Sequence, residues 1–355
     1  MSSRPLRIVV APDSFGGALD SVGVADAIAA GWARARPADS IVRAPMADGG
    51  EGTLQAIAAA LGPRAERHAV ATVDALGRRV QADWLLIDGN DAFIEMAAAS
   101  GLSRLSTDER TPDAARIAST RGTGELLRAA LDAGVESITL GLGGSATTDG
   151  GSGLLTALGI RLLDAADREL APGGAALSSL ARIDRDRLDP RLADVRLTIA
   201  SDVTNPLCGP MGAAATYGPQ KGCDLAAVAQ LDAALATWGA AIEHATGRVV
   251  ADLPGAGAAG GTTAALLGFT NALVRPGVEV VAEIVGLADA LEAADLVVTG
   301  EGRADEQTLS GKAAMGVANL ARSRNAPVIL LCGGLGAGAA ALDASGVFAV
   351  VQPVG

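Results

Sequence analysis

Short apolar runs ending in Gly, Asp or Pro alternate with stretches of helical periodicity at both ends of this 355-residue chain, and that alternation constrains the fold most. Each run suits one strand and each intervening stretch one crossover helix, the rhythm of a parallel sheet covered by helices. Arg7–Ala11 reads as the first strand and Ile41–Ala44 as the second. Between them Ser21 is placed to cap a helix whose Val24, Ala27, Ile28, Gly31 and Trp32 share one face. Asp48-Gly49-Gly50 then breaks the chain before a helix spanning Glu51 to Leu61. The rhythm returns near the C-terminus as strand Leu296–Thr299, helix Gly316–Arg324, strand Val328–Leu331 and strand Val347–Val351. The two ends therefore predict halves of one doubly wound parallel sheet.

The middle of the chain has a different pattern. Strands Ala69–Thr72, Val80–Ile87 and Ala92–Met96 are separated by Leu76-Gly77 and by Asp88-Gly89-Asn90-Asp91, which are hairpin signals. Helix Gly124–Ala133, strands Ser137–Leu142 and Arg196–Ala200, and helix Asp224–Thr246 follow. A second, mixed α/β domain over 69–285 is thus expected inside a first domain made of 1–68 and 286–355.

Composition removes several classes of function. Net charge is −12 and aromatic residues are 2%, whereas a nucleic-acid binder needs a basic surface and stacking rings. Cys208, Cys223 and Cys332 form no CxxC, and His68 and His244 are far apart in sequence, so no zinc set assembles and the cysteines read as packed thiols. The N-terminal apolar run is too short for a signal peptide, and no uninterrupted apolar run reaches the ~18 residues of a spanning helix. The expectation is a cytoplasmic protein with no membrane and no nucleic-acid partner. Of 28 basic residues only Lys221 and Lys312 are lysine, which leaves 28 − 2 = 26 arginines. Both lysines sit in Gly-flanked loops, whereas Arg187 reads as an ordinary exposed arginine.

In parallel α/β sheets, ligands bind beyond the carboxyl ends of the strands. The residues that follow the expected strands are Pro12-Asp13-Ser14, 46–52, 143–151, Ser201-Asp202, 300–303 and Gly333-Gly334, and most combine Gly with a carboxylate. Gly311-Lys312 is no Walker A motif, because Glu306 and Ala313 stand where Gly and Ser/Thr are required. Residues 255–260 spell GxGxxG but follow only a weak strand, Val249–Leu253, and open onto helix Gly261–Asn271. Residues 141–146 spell GxGxxA after a sound strand, with Thr147-Thr148-Asp149-Gly150-Gly151 next, a pattern that favours a phosphate site over a nicotinamide site.

Taken together, these blocks resemble the bacterial class I glycerate kinases over essentially the whole chain. The resemblance rests on IVVAPDSF (8–15), PMADGGEGT (45–53), FIEMAAASGL (93–102), GTGELLRAAL (122–131), GLGGSATTDGG (141–151), SDVTNPLCGP (201–210), YGPQKG (217–222), PGAGAAGG (254–261) and TGEGRADEQTLSGK (299–312). It implies a flavodoxin-like domain carrying an inserted α/β domain. It also implies ATP- and Mg²⁺-dependent phosphorylation of D-glycerate, with the 2-phosphate favoured over the 3-phosphate. Relatives commonly carry lysine where this chain has Gly16, and many have tyrosine where it has Arg121. Two other readings stay open: a kinase of another small hydroxy acid or polyol, and a catalytically inactive ligand-binding relative, the latter motivated by Gly16.

Phosphoryl transfer needs carboxylates to hold metal, cations for the equatorial oxygens and a group near the acceptor hydroxyl. Asp13, Asp48, Glu51, Asp149, Asp202, Glu301 and Asp305 form the carboxylate pool. Within it Asp48 is the first candidate for base or metal ligand and Asp202 the second, with Glu301 as a further metal ligand. Arg303 and Arg121 are candidate forks for the substrate carboxylate, and Lys312 a mobile cation for the phosphoryl group. Asp13, Ser14, Gly143, Gly144, Ser145, Gly300 and Gly302 are the expected nucleotide contacts. A homodimer is the assembly to test.

Overall fold

The computed structural model describes residues 4–305, 308, 313–339, 341–342, 345–348 and 350–354. In chain order its strands are β1 Arg7–Val10, β2 Ser40–Arg43, β3 Ala65–Val73, β4 Arg79–Ile87, β5 Asp91–Glu95, β6 Ser137–Gly141, β7 Arg161–Leu163, β8 Arg182–Asp184, β9 Arg196–Ala200, β10 Leu273–Arg275, β11 Leu296–Ala304, β12 Val328–Leu335 and β13 Val350–Pro353. The chain divides into two compact units, one made of Met1–Ala65 and Pro276–Gly355, the other of Glu66–Arg275.

The first unit is built on a parallel five-stranded sheet in the order β2-β1-β11-β12-β13. Counted along this unit alone, that order is 2-1-3-4-5, the flavodoxin-like doubly wound arrangement, with its topological switch point between β1 and β11. Ile8, Val9 and Val10 are fully buried, as a central strand covered on both faces requires. Ile8, Val10, Ala25 and Val298 form a core against which Ile28, Trp32 and Ile41 pack; of the helical face read from sequence Val24 is buried, Ile28, Gly31 and Trp32 are half-buried, and Ala27 is exposed.

Four local expectations differ from the structure. Helix Ser21–Ala35 is capped by Asp20, whose Oδ1 accepts from Gly23 N at 2.7 Å, because the chain is still extended at Asp20 and already helical at Ser21. The next helix starts at Thr53 rather than Glu51, after Gly52. Strand β11 does not stop at Thr299. Gly300, Glu301, Arg303 and Ala304 continue the ladder opposite Leu331, Cys332, Gly334 and Leu335 of β12, so the expected 300–303 loop is strand. The last strand begins at Val350, not Val347.

The second unit carries a six-stranded sheet, β10-β9-β6-β5-β4-β3, in which β10, β9, β6 and β5 run parallel and β4 is antiparallel to β5. Strands β7 and β8 form a separate antiparallel pair. Helix Leu225–Thr246, 22 residues long, has the length and mean apolarity of a membrane span, although Gln230 and Asp232 interrupt its apolar run, in line with the sequence reading. Its Leu231, Leu235, Trp238 and Ile242 are buried in the unit's core with Ile138, Leu140 and Ile199, the place of a core helix. Asp224 caps it, its Oδ1 accepting from Ala227 N at 2.7 Å. The helix after the GxGxxG segment spans Ala258–Phe269, but Ala259, Gly260 and Gly261 are left-handed, so its regular part begins after Gly261 as expected, and no strand forms over 249–253. Gly260 accepts from Gly150 N at 2.9 Å, so that segment packs against residues 147–151.

Candidate active site

In the first unit the carboxyl ends of β1 and β11 lie side by side, and the loops that leave them form a cavity of about 450 Å³. Asp13, Ser14, Asp48, Glu301, Gly302 and Arg303 line it. Main-chain bonds fix the approach: Asp13 N donates to Gly300 O and Met46 N to Pro12 O, each at 2.8 Å. This is the switch-point crevice where doubly wound sheets bind ligands.

Carboxylates outnumber the arginine in the crevice, three to one among the described lining residues. Asp13 is half-buried, and its carboxyl is pushed up to about 6, first by loss of solvent and then by the negative charges of Asp48 and Glu301. Ser14 N donates to Asp13 Oδ1 at 2.6 Å and opposes that rise, so the Ser14 amide is engaged within the loop. Asp48 is exposed, with its Oδ1 accepting from Gly50 N at 3.0 Å in the Gly-Gly turn. Glu301 is 7% exposed, and the next strand position but one, Arg303, is largely exposed and 3.9 Å from Asp305. Lys312 lies outside the described residues.

The second unit places its expected contacts at one sheet edge. Glu95, Gly141 and Ala200 are in register at the ends of β5, β6 and β9, so the 143–151 loop and Asp202 leave neighbouring strand ends. Gly144 is exposed and Gly143 half-buried, whereas Ser145 is buried. Lys221 is 3% exposed, and its Nζ donates to Ser145 Oγ at 3.0 Å and to Thr147 O at 2.5 Å. Burial pulls the Lys221 ammonium down to about 8, with the Asp149 charge acting in the opposite direction. Asp149 is fully buried and accepts from Thr120 N, Thr120 Oγ1, Gly151 N and Gly153 N at 2.8–3.1 Å. Trp238 Nε1 donates to Gly150 O at 2.8 Å. The loop is thus held from beneath by a cation and an anion of its own unit.

Three points depart from sequence reasoning. Gly300 is a strand residue, its carbonyl occupied by Asp13 N and its register set by Leu331. Arg121 lines a different cavity, in the second unit, and pairs with Glu125 at 3.0 Å. Lys221 as the support of the 145–147 backbone was missed, although the scarcity of lysine singled it out. Cys208, Cys223 and Cys332 are free, with thiols raised by burial, in keeping with packed rather than nucleophilic cysteines.

The chain is similar to known proteins along nearly its whole length. A profile described as the Glycerate kinase family matches residues 8–354. A glycerate kinase of Halalkalibacterium halodurans is 46% identical over 348 residues, covering 98% of this chain and 90% of that protein. A glycerate 2-kinase of Escherichia coli K12 is 46% identical over 331 residues, covering 93% of this chain and 86% of that one. The crystal structure of a protein assigned as glycerate kinase 2 from Salmonella typhimurium LT2 superimposes with a TM-score of 0.88 at 44% identity, covering 99% of this chain and 91% of that one. With its flavodoxin-like sheet, its strand-end carboxylates and these matches along its whole length, the chain belongs to the glycerate kinase family.

Proposed function

We propose that this chain is an ATP-dependent kinase that phosphorylates D-glycerate on its 2-hydroxyl, acting at the switch-point crevice of the first unit. The observation that carries the reading is the crowding of Asp13, Asp48 and Glu301 in the crevice beside β1 and β11, three carboxylates against one lining arginine, Arg303, among the described residues. The name of the Escherichia coli relative, glycerate 2-kinase, supports the 2-hydroxyl.

The donor set fits magnesium. Its oxygens are hard carboxylates, and burial together with the charges of Asp48 and Glu301 raises the Asp13 carboxyl, a penalty that a bound cation would relieve. Magnesium keeps most of its water, so one or two carboxylates suffice to hold it. We assign Asp48 and Glu301 to hold it; Asp202, exposed after β9 in the second unit, is a separate candidate to be tested by substitution. When bound, magnesium supplies neutralisation of the nucleotide's β- and γ-phosphate oxygens.

The protein's own groups do the rest. Arg303, exposed and only loosely paired with Asp305, offers a planar fork to the glycerate carboxylate. Asp48 orients the 2-hydroxyl and accepts its proton as the hydroxyl oxygen bonds to the γ-phosphorus and the bond to the β-phosphate oxygen breaks. Asp13, Ser14 and Gly302 shape the crevice wall against the nucleotide. Gly143, Gly144 and Ser145, braced by Lys221, are assigned to phosphate oxygens, and Lys312 keeps the mobile-cation role argued from its sequence context. The test is ADP release with Mg-ATP across a panel of hydroxy acids and polyols, with phosphorus NMR of the product. D-glycerate should be turned over to the 2-phosphate. Turnover of a different acceptor, or none, rejects the assignment.

A further inference from the structure

The second unit contains a cavity of about 330 Å³ that the reaction described above does not use. Arg121, Arg161 and Arg187 line it, with Glu169 as the one lining carboxylate. Ion pairs offset Arg121 and Arg161, so in a chain with a net charge of −12 the positive charge left over here is that of Arg187.

The three arginines are not equivalent. Arg121 is paired with Glu125 at 3.0 Å, and Arg161 with Glu169 at 2.8 Å and Asp184 at 3.6 Å. Arg187 makes no ion pair and no side-chain hydrogen bond among the described residues, so its fork is available. The segment that carries it is clamped. Gly159 sits at φ +104°, and a Cβ there would lie 1.9 Å from the Arg187 carbonyl oxygen, so only glycine permits the approach. Asp189 N donates to Leu158 O at 2.9 Å and fixes the next turn. A free guanidinium on a fixed backbone at a cavity mouth is a preorganised anion receptor.

The remaining wall narrows the chemistry. Thr156 Oγ1 donates to Ser152 O and Gly153 O, which leaves its lone pairs to accept from a ligand hydroxyl. Leu162, Leu170 and Leu177 supply apolar surface for a short carbon skeleton. The volume lies at the small end of the roughly 300–1,000 Å³ of ligand sites. We propose that this cavity binds a small phosphate monoester, with the unpaired fork of Arg187 and, beside it, Arg161 on the phosphate oxygens and Thr156 on a hydroxyl of the organic part.

Calorimetric titration of the full chain with glycerol 2-phosphate, without nucleotide, tests this. Wild type should bind with Kd at or below about 10 mM. Arg187→Gln and Arg161→Gln should each weaken binding about tenfold or more, while kcat and KM for ATP and D-glycerate stay within about twofold when no phosphate ester is added. Malonate, a dicarboxylate of similar size, should bind about tenfold more weakly than the ester. Three results would overturn the proposal: no binding to wild type, equal binding to both arginine variants, which would put the ester elsewhere, and malonate binding as well as the ester. Because Arg187 is exposed, its variant remains informative even if Arg161→Gln fails to fold.

Discussion

Asp13 and Asp149 each stand beyond the carboxyl end of a strand, one in each unit, yet they meet opposite surroundings. Asp149 is fully buried and receives four hydrogen bonds, with the Lys221 ammonium among its charged neighbours. Asp13 is half-buried, and its charged neighbours are Asp48 and Glu301. Burial raises both carboxyls, but Asp149 has four hydrogen bonds and a lysine within its own unit, whereas Asp13 faces two further carboxylates. The first ties a loop together, and the second is placed to receive a cation or a phosphate that brings one. Residue type and strand-end position are the same in both, so environment decides the role.

The largest effect should come from breaking the open site. Asp48→Asn is expected to lower kcat about 100-fold or more with little change in unfolding midpoint, since its carboxylate is exposed and its one turn hydrogen bond can survive on the amide oxygen. Near-normal kcat at saturating Mg-ATP and D-glycerate would remove Asp48 from the reaction. The closed site should respond the other way. Asp149→Asn replaces one accepting oxygen by an NH₂ facing backbone donors, at a cost of about 2 kcal/mol, read as a lower urea midpoint. An unchanged midpoint would show that Asp149 is not the framework residue described here.

Lys221 sharpens the contrast through pH. The folded protein releases this proton near pH 8, whereas an unfolded lysine holds it to about 10.5. Between those values the unfolded chain binds more protons, so this group makes stability rise as pH increases across that window. The rise is lost again as pH falls through 8. Thermal melts of wild type and Lys221→Met from pH 7.5 to 10 should therefore diverge, with the variant lacking this contribution. Parallel curves would mean that the ammonium is not buried as described.

The smallest effect is expected at Gly16, where the family resemblance leads one to expect lysine. Gly16 has φ +28°, a conformation that side chains rarely adopt, and nothing lies within 4 Å of an added Cβ. Gly16→Lys should fold, lose up to about 1 kcal/mol, and shift the KM for ATP more than kcat. A several-fold rise in kcat would instead mark the missing lysine as a lost catalytic cation.

Much of this organisation was readable in the residues. Apolar periodicity in 7–11, 21–35 and 41–44 reported buried faces directly, because burial is what selects that pattern. The extension of β11 through Gly300-Glu301-Gly302 was not readable, since glycine weakens a strand locally and only the β12 partner overrides it. The rarity of lysine pointed to position 221, but the burial of its Nζ depends on a loop 74 residues away. Asp13 and Asp149 could not be told apart, because the groups that distinguish them come from other strands. Arg187 looked like any surface arginine until Gly159 and the cavity wall were placed beside it.

The most direct test of the account is the titration of the Asp13 carboxyl carbon by NMR, in the ligand-free protein and again with Mg²⁺ and ATP. The account predicts a midpoint near 6 without ligands, produced by burial and by Asp48 and Glu301. It predicts a fall toward or below the ordinary aspartate value of about 3.9 once the cation and nucleotide are present. An ordinary midpoint in the free protein, or one that Mg-ATP leaves unmoved, would contradict the claim that this strand-end crevice awaits an outside charge.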